Sequence, residues 1–327
     1  IMGINRGGKT MNRDGQLLYT VARLYYLDNL NQAEISAEMG LSRPKVSRLL
    51  AKAREDGIVN IQISPPPCGD VHELEERIRA RFGLEHVLVT ESPYADDKRA
   101  LADTVRQAAP FFQGFLRDGD KIGIAWGYTL LKLAEHLQEV SMPASVILQI
   151  AGNLDNADSN NFANEIVRHF SQKLGVKSLN TLPCPVVVEN SIIVDLLLHD
   201  SKISHIINQV NGVDVAFPNI GVLSEENCLW RTGYISTEEL QQLHRSGSVG
   251  CICCRFINER GEIVDPSLDE RTISIGLEAL RSARHSCACI ASDDKVPPLI
   301  GSLRAGLVDV LAIDSRTAET LLAYAED

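Results

Sequence analysis

The segment from Gln32 to Ala53 constrains this chain more tightly than any other, because its apolar spacing admits one local packing. Ile35 and Met39 share a face of a short helix that starts near Gln32, and Gly40 supplies the positive φ that ends it. Leu41 packs behind the turn, Ser42 stands at the cap position of a following helix, and Pro44 is tolerated in that helix's first turn. Val46, Leu49, Leu50 and Ala53 then recur at helical spacing. Upstream, Leu17, Leu18, Val21, Leu24, Tyr25 and Leu27 line one face of a helix over Asp14–Leu27, and Asn29–Asn31 is a polar break. Two short helices crossing at a glycine turn against a third are a helix-turn-helix.

The outer face of the third helix carries Arg43, Lys45, Ser47, Arg48 and Lys52, with no acid among them. Such a face fits a DNA major groove, where N-terminal side chains reach base edges and cations take phosphates. With Gln32 and Ser42, these residues are the candidate contacts to double-stranded DNA. A charged helix face is usually only a solvated one. Here turn, cap, buried spacing and acid-free face coincide, and that agreement across levels favours DNA binding. Ile58–Ile63 alternates apolar and polar residues and is expected to form a strand of a small wing.

Charge is divided accordingly. The 327 residues carry a formal net charge of -11, yet residues 1–64 hold nine Lys/Arg against six Asp/Glu. An acidic body discourages non-specific phosphate binding while a local basic element still docks. No run approaches the roughly 18 to 20 apolar residues of a membrane helix, and Ile1–Met11 reads as a flexible leader before a start at Met11, not as a secretory signal. A cytoplasmic location is expected. The chain holds eight cysteines. Cys251, Cys253, Cys254, Cys287 and Cys289 fall in predicted strands, where cysteine commonly acts as a small buried apolar residue, so neither disulfides nor a metal or other cofactor is expected.

Ser64–Gly69, with three consecutive prolines, continues neither helix nor sheet and marks a boundary. The expected organisation is a DNA-binding domain over 12–64, a linker and possible oligomerisation helix over 65–83, and a larger domain over 84–327. Val71, Leu74, Ile78 and Phe82 line one face of the helix after the boundary. That face either packs on its own domain or makes the dimer contact that symmetric operators require.

From Glu85 onward, strand patterns alternate with helical ones. Strands are predicted at His86–Thr90, Lys121–Trp126, Ser145–Ala151, Val176–Leu182, Asp214–Ile220, Gly250–Ile257, Cys287–Ser292 and Val308–Asp314. Helices are predicted near Lys98–Leu116, Thr129–Glu139, Asn160–Leu174, Ile192–His199, Thr237–His244, Ile273–Leu280, Val296–Ala305 and Arg316–Tyr324. The fold class is therefore α/β, a doubly wound and mainly parallel sheet after an N-terminal helical domain. Ligands in such sheets bind beyond the carboxyl ends of the strands. Gly127, Tyr128 and Thr129 open a helix there, suited to a phosphate or simply to a capped turn. Gly152, Asn153 and Asp155 lie in a polar loop after the third strand, and Asn219 and Gly221 follow the fifth. Lys295 precedes a helix opened by Pro297 and Pro298, where a cation opposes the helix dipole unless an anion is near. That anion is either Asp293 or Asp294, or a bound phosphate.

With these residues in view, the chain from about Asp14 to Leu322 resembles the SorC family of sugar-responsive bacterial transcription regulators. The matching stretches are Gln32–Ile63, Gly123–Leu130, Asp214–Gly221, Gly247–Asp265 and Asp293–Leu322, the last containing Leu303–Leu307. The resemblance implies a sugar-binding effector domain similar to sugar-phosphate isomerase and deaminase folds, assembled as homodimers or homotetramers. It also implies that Thr129 and Lys295 contact phosphate, and it adds Cys251 and Asp265 to the candidate effector residues. Cys251 stands where the family often has an acid, Ala291–Asp293 replaces a glycine-rich loop, and Pro218 is an addition.

Two other readings remain open. An isomerase or deaminase needs a carboxylate or histidine base, and Asp265, Asp269 and Glu270 are the clustered candidates. Such an enzyme has no use for a helix-turn-helix. A DNA-binding protein with a purely structural second domain is the third reading.

Overall fold

The computed structural model describes residues 13–59, 69–92, 96–154 and 157–325. The leader, the expected wing beyond Val59, and most of the proline-rich boundary lie outside the described residues, as does Asp155. The chain divides into two compact units, Ile1–Pro66 and Pro67–Asp327.

The N-terminal unit contains α1 (Arg13–Tyr26), α2 (Gln32–Met39) and α3 (Arg43–Glu55). Val21, Ile35, Val46 and Leu50 meet in its centre, with Leu17, Leu24, Met39, Leu41 and Leu49 packed around them. Asn31 starts α2 with a capping box: its side chain accepts from the amides of Ala33 and Glu34, while the Glu34 carboxylate accepts from the Asn31 amide. Asn31 therefore has a capping role beyond that of the polar break expected over Asn29–Asn31. Gly40 ends α2 at φ +62, and its amide returns to the Ser36 carbonyl. Ser42 occupies the cap position of α3, but its side chain makes no capping bond.

The larger unit opens with α4 (Gly69–Phe82) and continues through β1 (His86–Thr90), α5 (Asp97–Gln113), β2 (Lys121–Ile124), α6 (Tyr128–His136), β3 (Val146–Gln149), α7 (Ala157–Leu174) and β4 (Ser178–Asn180). It then runs through α8 (Ser191–His199), α9 (Ser201–Val210), β5 (Val215–Phe217), β6 (Ile220–Val222), α10 (Cys228–Arg231), α11 (Thr237–Arg245), β7 (Gly250–Ile252) and β8 (Arg255–Ile257). It ends with α12 (Pro266–Glu270), α13 (Leu277–Ser282), β9 (His285–Ile290), α14 (Val296–Arg304), β10 (Val310–Asp314) and α15 (Ser315–Tyr324).

Seven strands form one sheet in the order β1-β10-β9-β5-β2-β3-β4, and every pair in it is parallel. The residues of β5 and β10 are all buried, as expected of strands covered on both faces. α5 packs on β1, β9 and β10 and beside α6, which packs beside α7. α15 lies on β1 and β10, with α4 against it. Leu74 and Ile78 of α4 are buried in this unit's own core, and Arg79 donates to the Val87 carbonyl. Leu74 and Ile78 of the apolar stripe of α4 are thus covered by their own domain, with Val71 and Phe82 partly buried against it.

Two predicted strands prove to be composite. Asp214–Ile220 divides at Pro218–Asn219: β5 stays in the main sheet, while β6 leaves it. Gly250–Ile257 folds back on itself as β7 and β8, an antiparallel hairpin that joins β6 in a separate three-stranded sheet. Cys253 and Cys254 turn the hairpin at φ +48 and +65, the left-handed values that a two-residue turn of type I′ requires at both centres. The predicted helix at Ile273–Leu280 begins only at Leu277, because Ser274 pairs with Ala151 and Thr272 with Val187 in extended bridges.

Candidate functional site

Each unit presents one candidate site. In the N-terminal unit, burying Val46, Leu50 and Ala53 turns the opposite face of α3 outward. Arg43, Lys45, Ser47, Arg48 and Lys52 are all exposed, as is Ser42, and Gln32 is partly so. Lys52 lies 3.7 Å from Asp56. Among the described residues, Arg43, Lys45 and Arg48 enter no ion pair. The expected basic surface therefore exists, and most of its charge is not neutralised by the unit itself.

In the larger unit a cavity of about 570 Å³ opens at the carboxyl ends of β2, β5 and β9. The chain runs from β2 outward to β3 and β4, then returns to place β5 on the other side of β2. Crevices of this kind arise where the strand order reverses. Three loops build it. After β2, Gly127 takes φ +145, a value closed to residues with a side chain, and precedes α6 without a side-chain cap. Tyr128 and Thr129, at the start of α6, both line the cavity, where the first amides of a helix lack partners within that helix. After β5, Asn219 and Gly221 line it, and the Asn219 Oδ1 is buried without a hydrogen-bond partner.

After β9 comes a single 3-10 turn, Asp293–Lys295, that leads into α14. Lys295 points its charge into a desolvated position: burial holds its pKa below the ordinary lysine value, opposed by the field of Asp294. The carboxylates expected to neutralise it make no ion pair with it, although the field of Asp294 reaches it. Asp293 lies 3.5 Å from Arg316 and accepts from Thr320, and Asp294 accepts from Ser292. Among the described residues Lys295 enters no ion pair. A half-buried cation that shares its cavity with the uncapped start of a helix is an arrangement that an anion stabilises.

Of the candidate effector residues, Gly127, Tyr128, Thr129, Asn219, Gly221, Cys251 and Lys295 come together in this cavity. Gly152, Asn153 and Asp265 do not line it. A Cβ at Gly152 would sit 2.6 Å from the Pro185 carbonyl oxygen, so that glycine serves close packing. Asn153 donates to the Leu182 carbonyl and accepts from Gln149, leaving its side chain engaged within the fold. Asp265 caps α12, accepting from Leu268 and Ser267, while the neighbouring Asp269 pairs with Arg255. Sequence reasoning missed Asn227, Cys228, Cys254 and Cys289 in the lining. The cysteine type alone points to core and Asn227 caps α10, so their place in the lining follows from the tertiary fold, Cys254 through the hairpin and Cys289 through β9. Among the described residues, no group of three or more His, Cys, Asp or Glu is placed to hold a metal.

A helix-turn-helix unit joined to a doubly wound domain with an anion-ready cavity at its strand ends defines a transcription regulator with a ligand-binding domain. Residues 67–323 match the family described as "Putative sugar-binding domain", and the chain belongs to that family. It is 31% identical over 307 residues to the "Deoxyribonucleoside regulator" of Bacillus subtilis (strain 168), covering 94% of this chain and 97% of that one. It is 30% identical over 315 residues to the "Sorbitol operon regulator" of Klebsiella pneumoniae, covering 94% and 98%. The crystal structure of full-length SorC from Klebsiella pneumoniae superposes with a TM-score of 0.76 at 28% identity, covering 94% of this chain and 98% of that one. These relatives are named as regulators, not as enzymes.

Proposed function

We propose that this protein regulates a carbohydrate-utilisation operon, and that a phosphorylated sugar bound in the strand-end cavity sets its affinity for operator DNA. The observation that carries this reading is Lys295, desolvated, in no ion pair among the described residues, and sharing its cavity with the uncapped start of α6. A phosphate supplies the missing charge to both. The sugar is held by the remaining lining, with Asn219 Oδ1 free to accept from a hydroxyl. Relatives named for a deoxyribonucleoside response and a sorbitol operon support a sugar-derived effector.

Residues 12–64 bind the operator through α3, residues 84–327 bind the effector, and the chain works in the cytoplasm as a homodimer or homotetramer. No helix among the described residues is long and apolar enough to cross a membrane. The effector changes the arrangement of domains or subunits, and so the spacing of two recognition helices. It shifts the DNA-bound population only by its difference in affinity for the two arrangements.

A thermal-shift panel of sugars and their phosphates tests the reading. A ligand at a hundred times its Kd contributes about 2.7 kcal/mol to stability, so the melting temperature rises with one sugar phosphate and not with its free sugar. A rise with the free sugar alone removes Lys295 from a phosphate role. A flat response across the panel returns the domain to a structural one.

A further inference from the structure

Among the described residues, the lining of the strand-end cavity carries two carboxylates, Asp97 and Glu226, and three cations, Lys98, Arg231 and Lys295. Glu226 and Arg231 lie 3.8 Å apart and largely cancel each other. Asp97 opens α5 and accepts from the hydroxyl of Ser292 at 2.9 Å, which ties it to the loop that leads into Lys295. A bare carboxylate in the same lining opposes any anion that Lys295 holds.

That charge is met from outside the cavity. Arg316, in the first turn of α15, donates to Asp97 Oδ1 and does not itself line the cavity. The same guanidinium lies 3.5 Å from Asp293, the first residue of the turn that ends in Lys295. Asp293 is held on that side by Thr320 as well, whose hydroxyl donates to it at 3.3 Å. Arg316 therefore bridges the start of α5 and the start of the Lys295 turn through two carboxylates. Its hydrogen bond keeps the Asp97 carboxyl below the ordinary carboxylate range, so this acid is ionised at neutral pH. The side chains of Arg316 and Asp97 are 29% and 51% exposed, and a pair so open to water adds little to stability. Its effect belongs to the field in the cavity.

We infer that Arg316 is a positioning residue of the effector site: it neutralises Asp97 and holds Asp293 against α15, which leaves the cavity a net positive field for an anion. The inference rests on the anion-binding reading of Lys295 given above.

The test is a thermal-shift titration of the full-length protein with inorganic phosphate at fixed ionic strength. Arg316→Met is expected to weaken the apparent phosphate affinity at least about threefold at low salt, the effect of one unmatched charge near the site. The loss should shrink at about 0.15 M salt, where exposed charges are screened. Arg316→Lys, which keeps the charge, is expected to stay near the wild-type affinity. Adding Asp97→Asn to Arg316→Met removes the unmatched carboxylate without rebuilding the bridge, and is expected to restore most of the lost affinity. A bridge that acted only by holding the chain together would not be repaired in this way. Unchanged phosphate affinity in Arg316→Met, or a loss that Asp97→Asn does not repair, overturns the inference and leaves the anion reading standing. A wild-type protein that phosphate does not stabilise overturns both.

Discussion

Arg48 and Lys295 both lack an ion-pair partner among the described residues, and their surroundings give the two cations different work. Arg48 is exposed on the outer face of α3, where water satisfies it and a DNA phosphate or base edge competes well. Replacing it by alanine is expected to weaken operator binding by about 1–3 kcal/mol and to lower the salt dependence of binding by about one counterion. Effector-induced stabilisation should persist, and a mobility-shift titration at two salt concentrations with a parallel melting curve checks both. Loss of effector binding in that variant would overturn the assignment of roles to the two units. Lys295 is instead held below the ordinary lysine pKa by burial. A bound phosphate favours the ammonium form, so between the lowered value and the ordinary one the complex carries more protons than the free protein. Sugar-phosphate binding should therefore take up protons in that alkaline window, and its affinity should fall as pH rises through the lowered value. Titrations in two buffers of different ionisation enthalpy measure the uptake, and Lys295→Met should abolish it together with phosphate recognition.

At the scale of elements, the position of α14 matters because Lys295 immediately precedes it. The helix lies against β6 and β7, and glycine allows the approach: a Cβ at Gly301 would come within 2.4 Å of the Asn258 backbone oxygen, just beyond β8. Backbone oxygen cannot yield as a flexible side chain does. Gly301→Ala is expected to move α14 off the hairpin, to cost about 1–3 kcal/mol by overpacking, and to weaken effector binding in the same preparation. An unchanged melting temperature with full effector affinity would show that the contact does not position the site. The same region shows where periodicity stops being informative. Gly250–Ile257 is apolar almost throughout and reads as one buried strand, because nothing in that pattern marks two cysteines as turn residues. Tertiary packing holds Cys253 and Cys254 in left-handed conformations that side chains rarely adopt. By contrast Gly40 announces its turn, since glycine reaches positive φ at no steric cost.

For the whole molecule, the proposed regulation has a thermodynamic signature that no single unit can produce. If the effector changes operator affinity by some factor, operator DNA must change effector affinity by the same factor. Effector titrations with and without operator, set beside operator titrations with and without effector, are expected to agree, with a coupling of about 1–3 kcal/mol. Two equal and uncoupled affinities would leave DNA binding and sugar binding as separate functions of one chain.

The helix-turn-helix, its basic face and the parallel α/β class were legible in the residues because each depends on local periodicity: apolar positions recur at helical spacing, strands are short and doubly apolar, and Gly40 sits at the required turn. The position of Gly127, Thr129, Asn219 and Lys295 in a strand-end cavity was legible as well, since crevices in such sheets follow the strands. The strand order, the departure of β6 from the main sheet, the hairpin at Cys253–Cys254 and the place of Cys228, Cys251, Cys254 and Cys289 in the cavity lining were decided only in three dimensions. They join residues distant in sequence through close backbone approach and burial, and a cysteine's side of a strand, core or cavity, is set by what packs against it.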